Sequence, residues 1–160
     1  MVLVQGNQVE EVFIINNEDI NQHHLISNQD IDTTSMVVTV RPNETSIESN
    51  IYTLEDDNMK LDSESKVYFL QESYNEQYEI YFGDGILGKY IPTGSIANVK
   101  YINCLGSIAN NKSGDMNWVT PPPHVPAPSI SASVVGKTWG GYDKDDIKTI
   151  KHSAPREFST

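Results

Sequence analysis

Apolar residues in this chain alternate with polar ones over short runs, and clusters of Asn, Asp, Ser and Gly separate the runs. Residues 9–15 (VEEVFII) are β-branched and aromatic and stop at Asn16-Asn17. Such side chains pack well on a pleated surface, so the run predicts a strand. Residues 36–40 (MVVTV) put Met36, Val38 and Val40 on one face and end at Arg41-Pro42, where the proline stops a ladder. Residues 66–70 and 78–82 predict two further strands, the second with Tyr78, Ile80 and Phe82 on one face. Over residues 96–102, Ala97, Val99 and Tyr101 alternate with Asn98 and Lys100, as in an antiparallel strand with one wet face. Stretches 28–34 and 56–65 read as polar turns. The predicted fold is mainly β with a minor α part: an antiparallel β-sandwich or barrel-like module, a long proline-rich arm and one C-terminal helix.

Gly83-Asp84-Gly85 joins residues 78–82 to Ile86-Leu87-Gly88-Lys89. Asp-Gly between strand-like runs predicts a hairpin over residues 78–89 with positive φ at both turn residues. It makes Gly83, Asp84, Gly85 and Gly88 structural turn residues. The composition then shifts. Residues 110–115 are loop-forming, and Pro121-Pro122-Pro123, Pro126 and Pro128 dictate extended backbone, with Trp118 placed to anchor the arm. The expected division is a β domain over 1–108, an Asn/Pro-rich arm or linker over 109–129, and a strand plus helix over 130–160. Within that last part, residues 129–135 read as a strand broken by Gly140-Gly141. A helix then starts with Asp143 as its N-cap, carries Asp145 and Asp146 in its first turn, and ends at or just before Pro155. Gly94-Ser95-Ile96-Ala97-Asn98 recurs as Gly106-Ser107-Ile108-Ala109-Asn110, which is too little for a repeat architecture.

Composition narrows the function. The 160 residues carry a net charge of −11, which opposes a phosphate-tracking surface and an anionic membrane and permits basic protein partners. No apolar run reaches the roughly 18–20 residues of a membrane span, and the N-terminus shows no secretory leader. The single cysteine, Cys104, forms no internal disulfide and reads as a small buried apolar residue. Gly83 to Lys89 falls one residue out of register for a phosphate loop and lacks the following Ser/Thr and helix. Glu79 and Asp84 could be imagined as a glycosidase pair, but Glu79 points away from Ile80 and Asp84 sits at an exposed turn. His23 and His24 are adjacent, so on a strand they face opposite ways and do not share a metal. Asp143-Lys144-Asp145-Asp146 lacks the Gly and Glu of a calcium loop. No catalytic residue, cofactor or metal site is expected. Tyr68, Tyr74, Tyr78, Tyr81 and Tyr101 gather around the best strands, and packing accounts for them. Tyr81, Tyr101, Trp118, Pro121, Pro122 and Pro123 are the candidates for a protein interface.

The stretch from Tyr78 to Lys89, with Phe82-Gly83-Asp84-Gly85 and then Gly88-Lys89, resembles the signature of baseplate J-like proteins. In that family a Pro-x-Gly turn and a strand ending in Tyr follow, as Pro92-Thr93-Gly94 and residues 96–101 do here. Gly106, Asn110, Gly140-Gly141, the acidic residues 143–146 and Ala154-Pro155 match in order. The resemblance is best over residues 66–160, and the proline arm resembles the T-even phage version. It implies a structural, non-enzymatic part of a contractile-tail baseplate wedge, assembled in the host cytoplasm and carried in the virion. Its implied partners are other wedge and hub-proximal tail proteins and further copies in the wedge ring. The family continues past the helix and has a longer N-terminal part, so the resemblance also implies a piece of a larger protein. The alternative from another class is a receptor- or glycan-binding β-sandwich of a tail fibre, which needs an exposed aromatic platform.

Overall fold

The computed structural model describes residues 4–16, 22–55, 61–114 and 136–157. The chain divides into two compact units, Met1–Cys104 and Leu105–Thr160. The predicted strand at 129–135 and the arm residues Trp118 and Pro121 to Pro128 lie outside the described residues.

The first unit is built from strands β1 (Asn7–Ile14), β2 (His24–Leu25), β3 (Ile31–Arg41), β4 (Asn50–Leu54), β5 (Val67–Glu72), β6 (Tyr78–Phe82) and β7 (Ile96–Asn103). They form one sheet in the order β1-β7-β3-β4-β5-β6-β2, nearly closed into a barrel. The mainly β, barrel-like expectation therefore holds. All pairings are antiparallel except β4 with β5, which run parallel through only Thr53↔Val67 and Leu54↔Tyr68.

The period-2 pattern places the core. Val38 and Val40 from β3, Tyr52 from β4, Tyr68 from β5, Ile80 from β6, and Ala97, Val99 and Tyr101 from β7 are buried together. Met36, Leu70, Tyr78 and Phe82 pack against them. Burying each large side chain stabilises the barrel by roughly 1.5–3 kcal/mol relative to exposure. The opposite parity of β1 leaves Val12 and Ile14 exposed on the outer face.

Three local expectations change. Residues 31–34 were predicted as turn but open β3. Between Asp32 and Val37 the register with β7 shifts. There Asp32 accepts from the Thr34 N–H (3.0 Å) and hydroxyl (2.6 Å), and Ser35 Oγ takes the Ile102 N–H at 3.0 Å. Side chains thus satisfy backbone donors that the bulge frees, which is why Asp-Thr-Thr-Ser is tolerated inside a strand.

The hairpin expected over 78–89 is not formed, because no strand follows the turn. The hairpin near it is β5–β6, whose turn residues are Asn75 (φ 61°, ψ 33°) and Glu76 (φ 59°). The connection covers residues 73–77 and is tied by the Ser73 N–H to Gln77 O (2.7 Å) and the Gln77 N–H to Tyr74 O (3.5 Å), and its two successive left-handed residues turn the chain back with the twist of the flanking strands. Asp84 has no positive φ; Gly85 does, at 90°.

The helix of the second unit, α1, spans Ile147–Glu157. Its cap is Asp146, which accepts the Thr149 N–H at 2.7 Å, and not Asp143. Asp143 is drawn off to Ser107, whose N–H it accepts at 2.8 Å and whose hydroxyl it also binds. The helix runs through Pro155 to Glu157 and does not stop there.

Candidate functional site

The loop after β6 is fixed by close backbone approach. A Cβ on Gly83 would lie 2.3 Å from the Gly88 carbonyl carbon, and one on Gly88, at φ 87°, would lie 2.8 Å from Val67 Cγ2. Asp84 accepts the N–H groups of Ile86 (2.8 Å) and Leu87 (2.9 Å), which hold its carboxyl below the usual range. Gly85 N–H donates to Gly88 O at 3.0 Å. Gly88 and Lys89 N–H groups donate to Asp62 O (3.1 Å) and Ser65 O (2.7 Å), and Lys89 Nζ meets Glu64 at 2.6 Å. The predicted turn residues Gly83, Asp84, Gly85 and Gly88 therefore form one tied loop against residues 62–65. Ile86, Leu87 and Tyr90 remain exposed on it.

The edges of the sheet, β1 and β2, meet through side chains. Glu11 accepts the Ser27 N–H (3.1 Å) and hydroxyl (3.1 Å), and the Tyr101 hydroxyl donates to it. Asn28 Nδ2 donates to Tyr101 Oη at 2.6 Å, and Asn103 Nδ2 to Asn28 Oδ1 at 3.2 Å. Phe13 and His24 rings pack at 5.0 Å across the same seam. Burial, with Glu11 adding to it against the Asn28 bond, pushes the Tyr101 phenol up to about 12. Burial also lowers the His24 imidazole, and neighbouring His23 adds to that. The sequence did carry a signal for Glu11: it stands at core parity between Val9 and Phe13, where a carboxylate needs partners.

On the outer face, His23 stacks on Tyr81 (4.7 Å, 13°) and Tyr81 on Phe69 (4.9 Å, 13°). His23 Nδ1 lies 2.9 Å from Glu79 Oε1, and Gln71 also donates to that carboxylate. These bonds, Gln71 first and His23 next, hold the Glu79 carboxyl low. His23 and His24 face opposite ways, as alternation requires. Glu79 and Asp84 belong to separate hydrogen-bond sets and do not converge. Of the interface candidates, Tyr81 is half-buried in the stack, while Tyr101, 1% exposed, is spent inside the barrel. Among the described residues no three His, Cys, Asp or Glu side chains are placed to hold a metal. Cys104 is free and half-buried.

In the second unit, Asn110 clasps Gly141 by two bonds: Nδ2 to Gly141 O (2.7 Å) and Gly141 N–H to Oδ1 (2.9 Å). Thr138 is bonded to Ala109, Asn111 and Lys112. A Cβ on Gly141 would lie 2.2 Å from Gly106 O. Gly106, Asn110, Gly140-Gly141 and Asp143, picked out in order along the sequence, thus gather in one place. Sequence reasoning missed Trp139 and Tyr142, which flank the two glycines and are 89% and 86% exposed.

No protein-family model matches the chain, and no curated protein matches it.

Proposed function

We propose that this protein is a structural, non-catalytic part of a contractile phage-tail baseplate wedge, which joins subunits and passes on the contraction trigger. The observation that carries this reading is the packing of Gly83 against Gly88. The residues shared with the baseplate J-like signature are there for backbone approach, and the one acid among them, Asp84, is occupied by two N–H groups of its own loop. A signature written in geometry suits a rigid assembly module better than an enzyme. The second cluster of signature residues, Gly106 with Asn110, Gly141 and Asp143, is likewise a set of backbone ties. Net charge of −11 favours protein partners with basic faces.

The glycan-binding reading is weaker. On the barrel its aromatic platform would be the His23–Tyr81–Phe69 stack, but Tyr81 is stacked on by both neighbours, whereas a sugar stacks on an open face; the exposed Trp139 and Tyr142 of the second unit are the observation that favours it.

Co-expression with the other baseplate proteins of a contractile-tailed phage tests the proposal. A stable complex with at least one wedge component is expected. Retention on host glycans with no binding to any tail protein would overturn it. The protein is also expected to show no hydrolase turnover, and a reproducible activity abolished by Glu79→Gln or Asp84→Asn would remove the structural reading.

A further inference from the structure

Going round the barrel, neighbouring strands share backbone ladder bonds everywhere except between β1 and β2, the two ends of the sheet. Among the described residues, side chains close that line. At its ends the Asn16 N–H donates to Gln22 Oε1 (2.7 Å), and Asn28 joins Tyr101 and Asn103. Its middle rests on two contacts. Glu11 takes both donors of Ser27 together with the Tyr101 hydroxyl, and the Phe13 ring lies against the His24 ring.

Both flanks are better held than the seam itself. β1 pairs with β7 without a break from Asn7↔Asn103 to Ile14↔Ile96. On the other side His24↔Ile80 and Leu25↔Glu79 pair β2 with β6. There the Ile26 N–H donates to Tyr78 O at 2.8 Å, and Gln77 Nε2 donates to Ser27 O at 3.1 Å. His23, on the outer face, adds its stack on Tyr81 and its contact with Glu79.

His24 makes the middle of the seam responsive to acid. Phe13 of β1 and Phe82 of β6 face it, so a charge there is cut off from water. Burial lowers the His24 imidazole and His23 adds to that, while Glu11 of β1 and Tyr101 of β7 are bonded to each other. Among the described residues no Lys or Arg pairs with Glu11 and no acid pairs with His24. In water an imidazole takes its proton at about 6.5. An open seam therefore gains a proton that the closed one resists as pH falls below that value.

We propose that acid opens the middle of this seam, moving His24 off Phe13 and into water, while the β1–β7 and β2–β6 pairings stay formed. The barrel then has a closed neutral form and an open acid form. Opening bares the free backbone edge of β1, which residues 23–27 flank in the closed form.

Nuclear Overhauser contacts in the whole chain, followed from about pH 7.5 to about pH 5, test this. The contact between the Phe13 and His24 rings should be lost as the His24 ring titrates. Backbone contacts of Val12 with Asn98 and of His24 with Ile80, which report the two flanking pairings, should persist. His24→Phe should keep its ring contact with Phe13 at the acid end. Glu11→Gln should raise the pH of opening by about one unit, a roughly tenfold larger open population at a given pH. Ser27→Ala is the substitute if Glu11→Gln does not fold. A Phe13–His24 contact that survives until the whole sheet unfolds would overturn the proposal. So would loss of the β1–β7 contacts at the same pH, or opening of either His24→Phe or Glu11→Gln at the wild-type pH.

Discussion

Single residues set the geometry of the loop after β6, and two glycines there separate two physical effects. Gly94 has a φ of 87° but open space around its missing Cβ. Gly94→Ala should cost about 1 kcal/mol from backbone strain alone. Gly83→Ala places a methyl against the Gly88 carbonyl, and backbone cannot move aside as a side chain can. We expect a loss of about 3 kcal/mol in chemical denaturation. Glu76, held at φ 59° in the β5–β6 turn, is the reverse case: Glu76→Gly should raise stability by about 1 kcal/mol. Glu11 has a spectroscopic consequence. Glu11→Gln removes the charge that helps raise Tyr101, so the Tyr101 phenol, now at about 12, should titrate lower when followed by carbon-13 tyrosine NMR. Its seam bonds to Ser27 weaken at the same time, by about 1–2 kcal/mol.

At the scale of elements, the seam between β1 and β2 is the pH-sensitive part. His24 is buried between Phe13 and Phe82, with its folded pKa below the ordinary 6.5. Below 6.5 the unfolded chain binds a proton that the fold resists, so stability rises with pH through this window. It is complete above 6.5 and is lost as pH falls through the lowered value. The carboxylates of Glu79, Asp84 and Asp62 are also lowered, from 4.5 and 3.8, so their contribution fades in a more acidic window. Thermal unfolding from pH 7 to 3 should show both losses, and His24→Phe should abolish the upper one alone. A single acid transition in that variant and in wild type would contradict the assignment. These elements also show what was legible. β6 and β7 could be read because their alternation continues through five and eight residues. β2, with two residues, and β4, with exposed Asn50, Ile51, Thr53 and Leu54 around one buried Tyr52, carry too little pattern. The helix cap was misplaced because three aspartates compete for it locally, and the choice is made by Ser107, 36 residues away. The hairpin was misplaced because Asn75-Glu76 is a weaker local signal than Asp84-Gly85, and pairing of β5 with β6 decides between them.

For the whole molecule, the sequence showed a barrel-like β module and a change of character beyond it, while the ties that define the candidate sites are nonlocal. Glu11 reaches Ser27 and Tyr101, and Asn110 reaches Gly141. The pairing of β1 with β7 is the longest of these links, running from Asn7↔Asn103 to Ile14↔Ile96. During synthesis β1 leaves the ribosome first and has no ladder partner until β7 follows it, which at roughly 5–20 residues per second is several seconds later. Throughout that interval Phe13 and Ile15 have no core to enter, and a nascent chain halted at Gly94 would offer them to chaperones. Arrested chains ending there should bind trigger-factor-type holdases and be cut quickly by protease, while chains that have released Asn103 should resist both.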